Sequence, residues 1–288
     1  MSQWTATVVN GALLGGVYTI VGLGLALIFG VMRLVNLAHA AFLVGGAYLA
    51  FSVTSSTGLD PLLTLVIVLP ALFCAGYVIQ RWLLNALLVS GSQGALVATF
   101  GLLILVQNVL TLGYGADPLS LPAPYADAGM TVAGIRVRVI YVIGLGLAAV
   151  CVAGLHLALK RTRLGIALRA ATADPVTATS MGVNVNHLYA LAFGIGTALA
   201  GVGGVVVGVA FSVTPTSGLS YLLLGFTVVV LGGVGSVAGT LAAGLLVGIA
   251  EAVAARALGG QYADIVVYLA FVVLLAFRPQ GLLGRVRA

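Results

Sequence analysis

Polar side chains that could do chemistry are few in this chain, and two of them lie close together early in the sequence. Asn36 and His39 fall three residues apart at the end of the segment Gly30–His39, and in a helix they would share a face. Polar groups inside apolar segments either bond neighbouring helices or mark a solute path. Two interpretations therefore stay open: hydrogen bonds that hold a helix break together, and contact with a translocated solute.

Other polar groups also lie in apolar runs. Gln107 and Asn108 fall deep in the run Gly94–Gly113, where unpaired amides are costly, so we expect interhelical hydrogen bonds and keep both residues as candidates for a translocation path. Glu251 lies near the end of its run, where solvation is expected. Four tyrosines are assigned to packing or to the membrane interface: Tyr18, Tyr48, Tyr114 and Tyr221.

The sequence lacks an energy source of its own. A phosphate-binding loop needs Gly-Lys-Ser/Thr, but the one lysine, Lys160, follows Leu159. No set of acids, histidines or metal ligands suggests catalysis, and Cys74 and Cys151 form no recognisable framework. We therefore predict no catalytic residue, no metal and no directly bound cofactor. Either another protein drives this chain, or it is a passive facilitator.

Composition defines the protein class. The 288 residues are 61% hydrophobic and 6% charged, with mean hydropathy +1.22 and 40 glycines. A soluble domain has about 25% charged residues, so soluble enzymes and nucleic-acid binders are excluded. The sequence predicts an all-α polytopic membrane protein with a single transmembrane domain over residues 1–288.

Apolar runs of about 20 residues mark the membrane spans. We predict about nine (eight to ten), with a break at Gly232–Ser236. The predicted spans are Gly11–Val31, Ala38–Ser55, Leu62–Gln80, Gly94–Gly113, Val139–Leu159, Leu188–Val213, Tyr221–Leu231, Val237–Ala255 and Ile265–Phe277.

Basic residues set the predicted orientation, because Lys and Arg near span ends stay in the cytoplasm. With the loop 160–187 inside, nine of the twelve basic residues become cytoplasmic, and so does the C-terminus. The connection 114–138 then faces outward, and its part Thr131–Arg138 is compatible with a hairpin.

Glycines recur at helical spacing, which predicts close helix packing. They also belong to two interrupted segments, Gly30–His39 and Gly232–Ser236. Transporters place paired interruptions where backbone groups serve a substrate. Gly232, Gly233 and Gly235 are therefore further candidates for the translocation path.

The cytoplasmic loop contains the signals of a short helix. Asp174 is a strong N-cap, Pro175 suits the first helical position, and Gly182 suits a left-handed stop. We predict a two-turn helix over Pro175–Met181. It either docks into a partner through Met181 or lies at the lipid headgroups.

Blocks of sequence spread over nearly the whole chain resemble one family, the LivH-type permeases of branched-chain amino-acid ABC transporters. The blocks, in the order of that family, are Gly30–His39 with Gly46–Tyr48; Gly165–Ala170 with Asp174, Pro175, Ala178 and Gly182; Phe193, Gly196 and Leu199–Gly201; and Gly232–Ser236 with Gly239 and Arg278–Leu282.

The resemblance implies a membrane subunit of a bacterial importer in the cytoplasmic (inner) membrane. Its implied partners are a second, related permease in a heterodimer, two cytoplasmic ATPases that use ATP, and an extracytoplasmic solute-binding protein. It also implies that Asp174–Gly182 is the coupling helix. The implied coupling residues are Arg169, Asp174, Pro175, Ala178, Met181 and Gly182.

One departure from the family bears on the solute. Ala40 and Ala41 follow His39, where the family often has Gly followed by a polar or acidic residue. A branched-chain amino acid or another small solute is therefore expected. The competing hypotheses are a stand-alone secondary carrier or facilitator and an integral-membrane enzyme.

Overall fold

The chain folds into a bundle of membrane-length helices. A computed structural model describes residues 3–32, 34–88, 92–132, 134–277 and 281. Within those ranges nine helical segments are long and apolar enough to cross a membrane. The predicted spans are thereby confirmed, including the break at Gly232–Ser236. Arg33, Arg278 and Arg285 lie outside the described residues.

The elements follow the order of the predicted spans, with two short helices between the fifth and sixth. The α-helices are α1 (Gln3–Met32), α2 (His39–Thr57), α3 (Leu65–Ile79), α4 (Asn85–Leu88), α5 (Ser92–Tyr114), α6 (Val139–Arg161), α7 (Arg163–Ala173), α8 (Pro175–Ser180), α9 (Val185–Ala210), α10 (Gly218–Gly232), α11 (Val237–Leu258) and α12 (Ala263–Phe277). A π-helical turn, Gln80–Leu84, joins α3 to α4, so the third span continues past the predicted end at Gln80.

A small hairpin precedes α6. Strand β1 (Gly129–Val132) pairs antiparallel with β2 (Ile135–Arg138). The predicted hairpin is confirmed, although its first strand begins two residues before Thr131.

The connection between α5 and the hairpin is tied to the end of the bundle. Leu119 forms a bridge with Val213, and the Leu121 N–H donates to the Gly208 carbonyl at 2.8 Å. The Tyr125 hydroxyl donates to Asp60 at 2.7 Å. These bonds give a long connection a fixed conformation.

Two helices form the centre of the bundle. α1 packs against α6, α9, α10 and α11, while α9 also packs against α2 and α3. Their buried side chains include Val17, Ile20, Phe193 and Val205. The peripheral α5 and α12 instead expose large apolar side chains, including Leu112 and Phe277, as expected for helices next to lipid.

Glycines allow α1 and α11 to approach backbone to backbone. A Cβ at Gly15 would lie 2.5 Å from the Gly244 carbonyl oxygen, and one at Gly11 would lie 2.7 Å from that of Gly248. The close packing predicted from glycine spacing is confirmed at this helix pair.

Glu251 is bonded inside the bundle. Its carboxylate accepts a 2.9 Å hydrogen bond from the Tyr18 hydroxyl, and the carboxyl group is half-buried. The expectation that Glu251 is simply solvated is therefore wrong, because α1 lies close enough to supply a donor. The packing role of Tyr48 is confirmed, since its buried ring lies edge-on to Tyr114.

Replacing Tyr18 with Phe removes this donor and keeps the ring. We expect a loss of about 0.6–1.7 kcal/mol in stability, the range for polar contacts between membrane helices. Thermal unfolding of the purified chain in detergent measures it. Glu251→Gln keeps an acceptor and should lose less, whereas a Tyr18→Phe protein as stable as the wild type would contradict the role of the bond.

Candidate coupling segment and translocation path

The segment between α6 and α9 contains two helices, where the sequence predicted one. α7 was missed. Its N-cap is Thr162, whose hydroxyl accepts the Gly165 N–H at 3.1 Å. Leu168 and Ala171 are buried in a cluster with residues of α1, α6 and α9. The spacing of Leu164, Leu168 and Ala171 on one helical face was the available signal.

Arg169 fixes α7 against the end of α6. Its guanidinium donates to the carbonyl oxygen of Leu159, and the side chain remains exposed. On the same helix, the Thr172 hydroxyl donates to the Leu168 carbonyl and lies 3.5 Å from that of Val31. α7 therefore touches the end of α1.

The predicted short helix is present as α8. The Asp174 carboxylate accepts the N–H groups of Val176 and Thr177 at 2.9 and 3.2 Å. The hydrogen bond from the Thr177 hydroxyl and these backbone bonds lower the pKa of Asp174, so its carboxylate is charged at neutral pH. The helix ends at Ser180, one residue earlier than predicted, and Gly182 adopts φ +84° as the left-handed stop.

α8 and its C-cap residue Met181 present two large apolar side chains outward. Val176 and Met181 are 75% and 80% exposed, whereas Ala178 is 4% exposed and faces the bundle. The Val183 N–H donates to the Ala178 carbonyl at 3.1 Å, which fixes the turn that follows. α8 is thus held firmly while its two apolar side chains remain uncovered in this chain.

The first interrupted segment separates α1 from α2. Residues 34–38 are not helical, so Asn36 and His39 do not share a helix face. The Asn36 side chain accepts the Ala38 N–H at 3.1 Å, and His39 Nε2 lies 3.0 Å from the Val21 carbonyl oxygen. Hydrogen bonding that holds the break together is confirmed.

Part of each of these two side chains has no partner. Asn36 is 0% exposed and His39 is 1% exposed. Asn36 Nδ2 and His39 Nδ1 are buried without a hydrogen bond to any described residue. Contact with a translocated solute remains a prediction for both.

The second interrupted segment meets the first. Gly233 and Gly235 adopt φ +88° and +77°, and the Ser236 hydroxyl caps α11 by accepting the Gly239 N–H. A Cβ at Gly30 would lie 2.6 Å from Gly235 Cα, so the two segments are in direct contact. Gly281 also lies here, because its Cβ would be 2.8 Å from the Gly233 nitrogen.

A cavity of about 360 Å³ opens where both interruptions face α7. Gly30 and Gly235 line one part of it, and Arg169 and Thr172 line another. The segment between α6 and α9 and the two interrupted segments therefore line the same cavity. Among the described residues, no group of three or more His, Cys, Asp or Glu side chains could hold a metal ion.

Neither side-chain amide of α5, Gln107 or Asn108, bonds another helix within the described residues. Asn108 is exposed and donates to the Ile104 carbonyl of its own helix at 2.7 Å. Gln107 is half-buried, and its side chain makes no hydrogen bond to a described residue. The predicted interhelical bond is wrong for this chain taken alone, because α5 lies at the periphery of the bundle. A role in the path remains a prediction.

Comparison with known proteins identifies the family. The family model described as "branched-chain amino acid transport system / permease component" matches residues 7–275. The high-affinity branched-chain amino acid transport system permease protein BraD of Pseudomonas aeruginosa is 33% identical over 96% of this chain and 94% of its own length. LivH of Escherichia coli K12 is 29% identical over the same shares, and a probable LivH of Methanocaldococcus jannaschii is 24% identical over 96% and 92%.

No solved structure gives a significant match. The family match covers both interrupted segments and the whole segment between α6 and α9. The chain therefore belongs to the family of permease components of branched-chain amino acid transport systems.

Proposed function

We propose that this chain is the membrane-spanning permease subunit of a bacterial ABC importer for branched-chain amino acids or a related small solute. The observation that carries the proposal is α8, a capped helix whose Val176 and Met181 are uncovered in a chain of this family. Exposed apolar side chains on a short, capped helical segment suit a groove on a partner protein. In this proposal the chain itself has no enzymatic activity.

The proposed partners supply energy and solute. A second, related permease completes the path as a heterodimer, two cytoplasmic ATPases bind α8 and its counterpart, and a solute-binding protein docks outside. The permease then binds no cofactor directly, and its partners use the ATP. The C-terminus would lie in the cytoplasm.

Coupling would pass from α8 to the helix breaks. Asp174 and Pro175 begin α8, and Gly182 ends it. Ala178 packs α8 against the bundle. Met181 would bind in a groove of the ATPase. Arg169 holds α7 against α6, so displacement of α8 would reach the cavity beside Gly30 and Gly235. The path would alternate between a state open to the outside and a state open to the cytoplasm. Only contacts that differ between the nucleotide states of the ATPases can shift that equilibrium.

The proposed path includes the two interrupted segments and the amides of α5. Its residues are Asn36, His39, Gln107, Asn108, Gly232, Gly233 and Gly235. The unpartnered atoms of Asn36 and His39 support this proposal, because buried polar groups without partners are rare and call for an explanation.

Reconstitution tests the proposal directly. The chain and its second permease are placed in vesicles with and without the ATPases, and uptake of leucine, isoleucine, valine and small amides is measured with ATP inside. We expect uptake that requires the binding protein and ATP. Uptake without ATPases would instead indicate the stand-alone carrier, which the family membership does not favour.

Sidedness can be tested with single cysteines. With Cys74 and Cys151 replaced by Ala, a cysteine at Thr179 or near Arg285 should react only with a reagent supplied from the cytoplasmic side. A cysteine at Asp117, exposed in the connection 114–138, should react from outside. Labelling of the cysteines at Asp117 and Thr179 from the same side would contradict the crossing of the membrane by α6, the one span between them.

A further inference from the structure

The third span contains a turn that is wider than an α-helical turn. In the π-helical segment Gln80–Leu84, the Asn85 N–H donates to the Gln80 carbonyl, five residues back. Residues five apart in a regular α-helix point about 140° away from each other around the axis. The wide turn therefore brings together two side chains that an α-helix would separate.

Those two side chains form a bridge to another helix. Gln80 Nε2 donates to Asn85 Oδ1 at 2.9 Å, and Asn85 Nδ2 donates to the Asn186 carbonyl oxygen at 3.0 Å. Asn186 belongs to the first turn of α9, shortly after α8. Beside this bridge, the Tyr77 hydroxyl and His187 Nδ1 lie 2.9 Å apart.

The bridge is buried and carries an unpaired atom. Gln80 is 0% exposed and Asn85 is 8% exposed. Gln80 Oε1 is buried without a hydrogen bond to any described residue, which is costly. A return of the wide turn to α-helical geometry would separate the two amides and release Asn186. The bridge therefore depends on the wide turn, and π turns of this kind occur frequently at functional sites.

Further along, α9 is already joined to the third span. Thr197 Oγ1 donates to the Leu72 carbonyl at 2.9 Å, and Gly76 leaves the space for Thr197. The bridge is thus one end of a longer contact between α9 and the third span. It lies at the start of α9, next to α8, the helix proposed to bind the ATPases.

We infer that Gln80 and Asn85 are positioning residues for transport, forming a latch that makes the first turn of α9 and the third span move as one body when α8 is displaced. This inference rests on the proposed function. With the latch intact, displacement of α8 changes the path. With the latch broken, the first turn of α9 moves without the third span. ATP is then hydrolysed without opening the path to the solute.

The first test uses the complete transporter in vesicles. It measures the ratio of ATP molecules hydrolysed to solute molecules taken up. In Asn85→Ala we expect this ratio to rise at least about fivefold, the factor for one net hydrogen bond, because the substitution removes both bonds of the bridge. Gln80→Leu, which keeps the size of the side chain, should raise it similarly. The double variant should resemble either single variant, because both act on one bridge.

A matched control is available on the opposite side of the bundle. Asn10 Nδ2 also donates to a distant backbone oxygen, that of Arg136, at 3.1 Å, and Asn10→Ala should leave the ratio unchanged. A merely structural role would lower the amount of assembled complex and reduce uptake and hydrolysis together. An unchanged ratio in both Asn85→Ala and Gln80→Leu would overturn the latch.

A second measurement does not depend on the ATPases. Hydrogen exchange of the purified permease chain should be faster at residues 185–188 in Asn85→Ala and Gln80→Leu, and unchanged there in Asn10→Ala. Unchanged exchange in the first two variants would overturn the latch even if uptake cannot be measured. The two measurements also separate the latch from the proposed function. If wild-type vesicles show no ATP-dependent uptake, the proposed function is contradicted. Faster exchange in the variants would still show that the bridge holds the first turn of α9.

Discussion

Replacing Met181 with Glu is expected to reduce ATP-driven uptake by about tenfold to a hundredfold, the factor for losing the burial of one such side chain in an interface. Met181 is 80% exposed in this chain, so the substitution removes no packing within the permease. A carboxylate in an apolar groove would add a desolvation cost. Uptake and ATP hydrolysis are measured together in vesicles that contain the complete transporter.

Two further variants make this result specific. Val176→Glu alters the other exposed apolar side chain of α8 and should act in the same direction. Met130→Glu places the same change on an exposed methionine of the hairpin, away from α8, and should transport normally. If Met181→Glu and Val176→Glu both transport like the wild type, α8 does not dock through these side chains.

Replacing Gly15 with Val is expected to abolish most of the folded protein. Its Cβ would lie 2.5 Å from the Gly244 carbonyl oxygen and 2.6 Å from Leu245 Cα. Backbone atoms on both sides cannot turn away as a side chain can, so the helices must separate. Overpacking typically costs about 1–3 kcal/mol, and contact with backbone atoms places this substitution at the upper end of that range. The yield of monodisperse protein and its melting temperature in detergent measure the loss.

Glycines in open surroundings provide the matched control. A Cβ at Gly101 or Gly146 meets nothing within 4 Å among the described residues, so Gly101→Ala and Gly146→Ala should fold like the wild type. Gly15→Ala should already lower the melting temperature. A Gly15→Val protein that is as stable as Gly146→Ala would show that α1 and α11 are not packed through their glycines.

The features that the sequence predicted are those set by local physical chemistry. Membrane spans follow from hydropathy, and the helix break at Gly232–Ser236 follows from the backbone freedom of glycine. Asp174, Pro175 and Gly182 act within one or two helical turns, so the bounds of α8 were predicted to within one residue. Each of these signals lies next to the structure that it determines.

The features that the sequence did not predict depend on distant partners or on weak local signals. Glu251 bonds Tyr18, which is 233 residues away in the sequence. No sequence pattern near Glu251 predicts that donor. α7 has eleven residues. The charged residues in and around it made its apolar face hard to recognise from the sequence. The third span was predicted to end at Gln80, whereas the bridge between Asn85 and α9 lies beyond that residue.

The hydrogen-bonded connection between α5 and the hairpin has a consequence for the proposed docking of a solute-binding protein. Because Leu119 and Leu121 are already bonded to the end of α9 and its following turn, little conformational entropy remains to be lost when another molecule settles on this face. The affinity of the proposed solute-binding protein for this face would then depend mainly on how well its surface matches a shape that is already fixed.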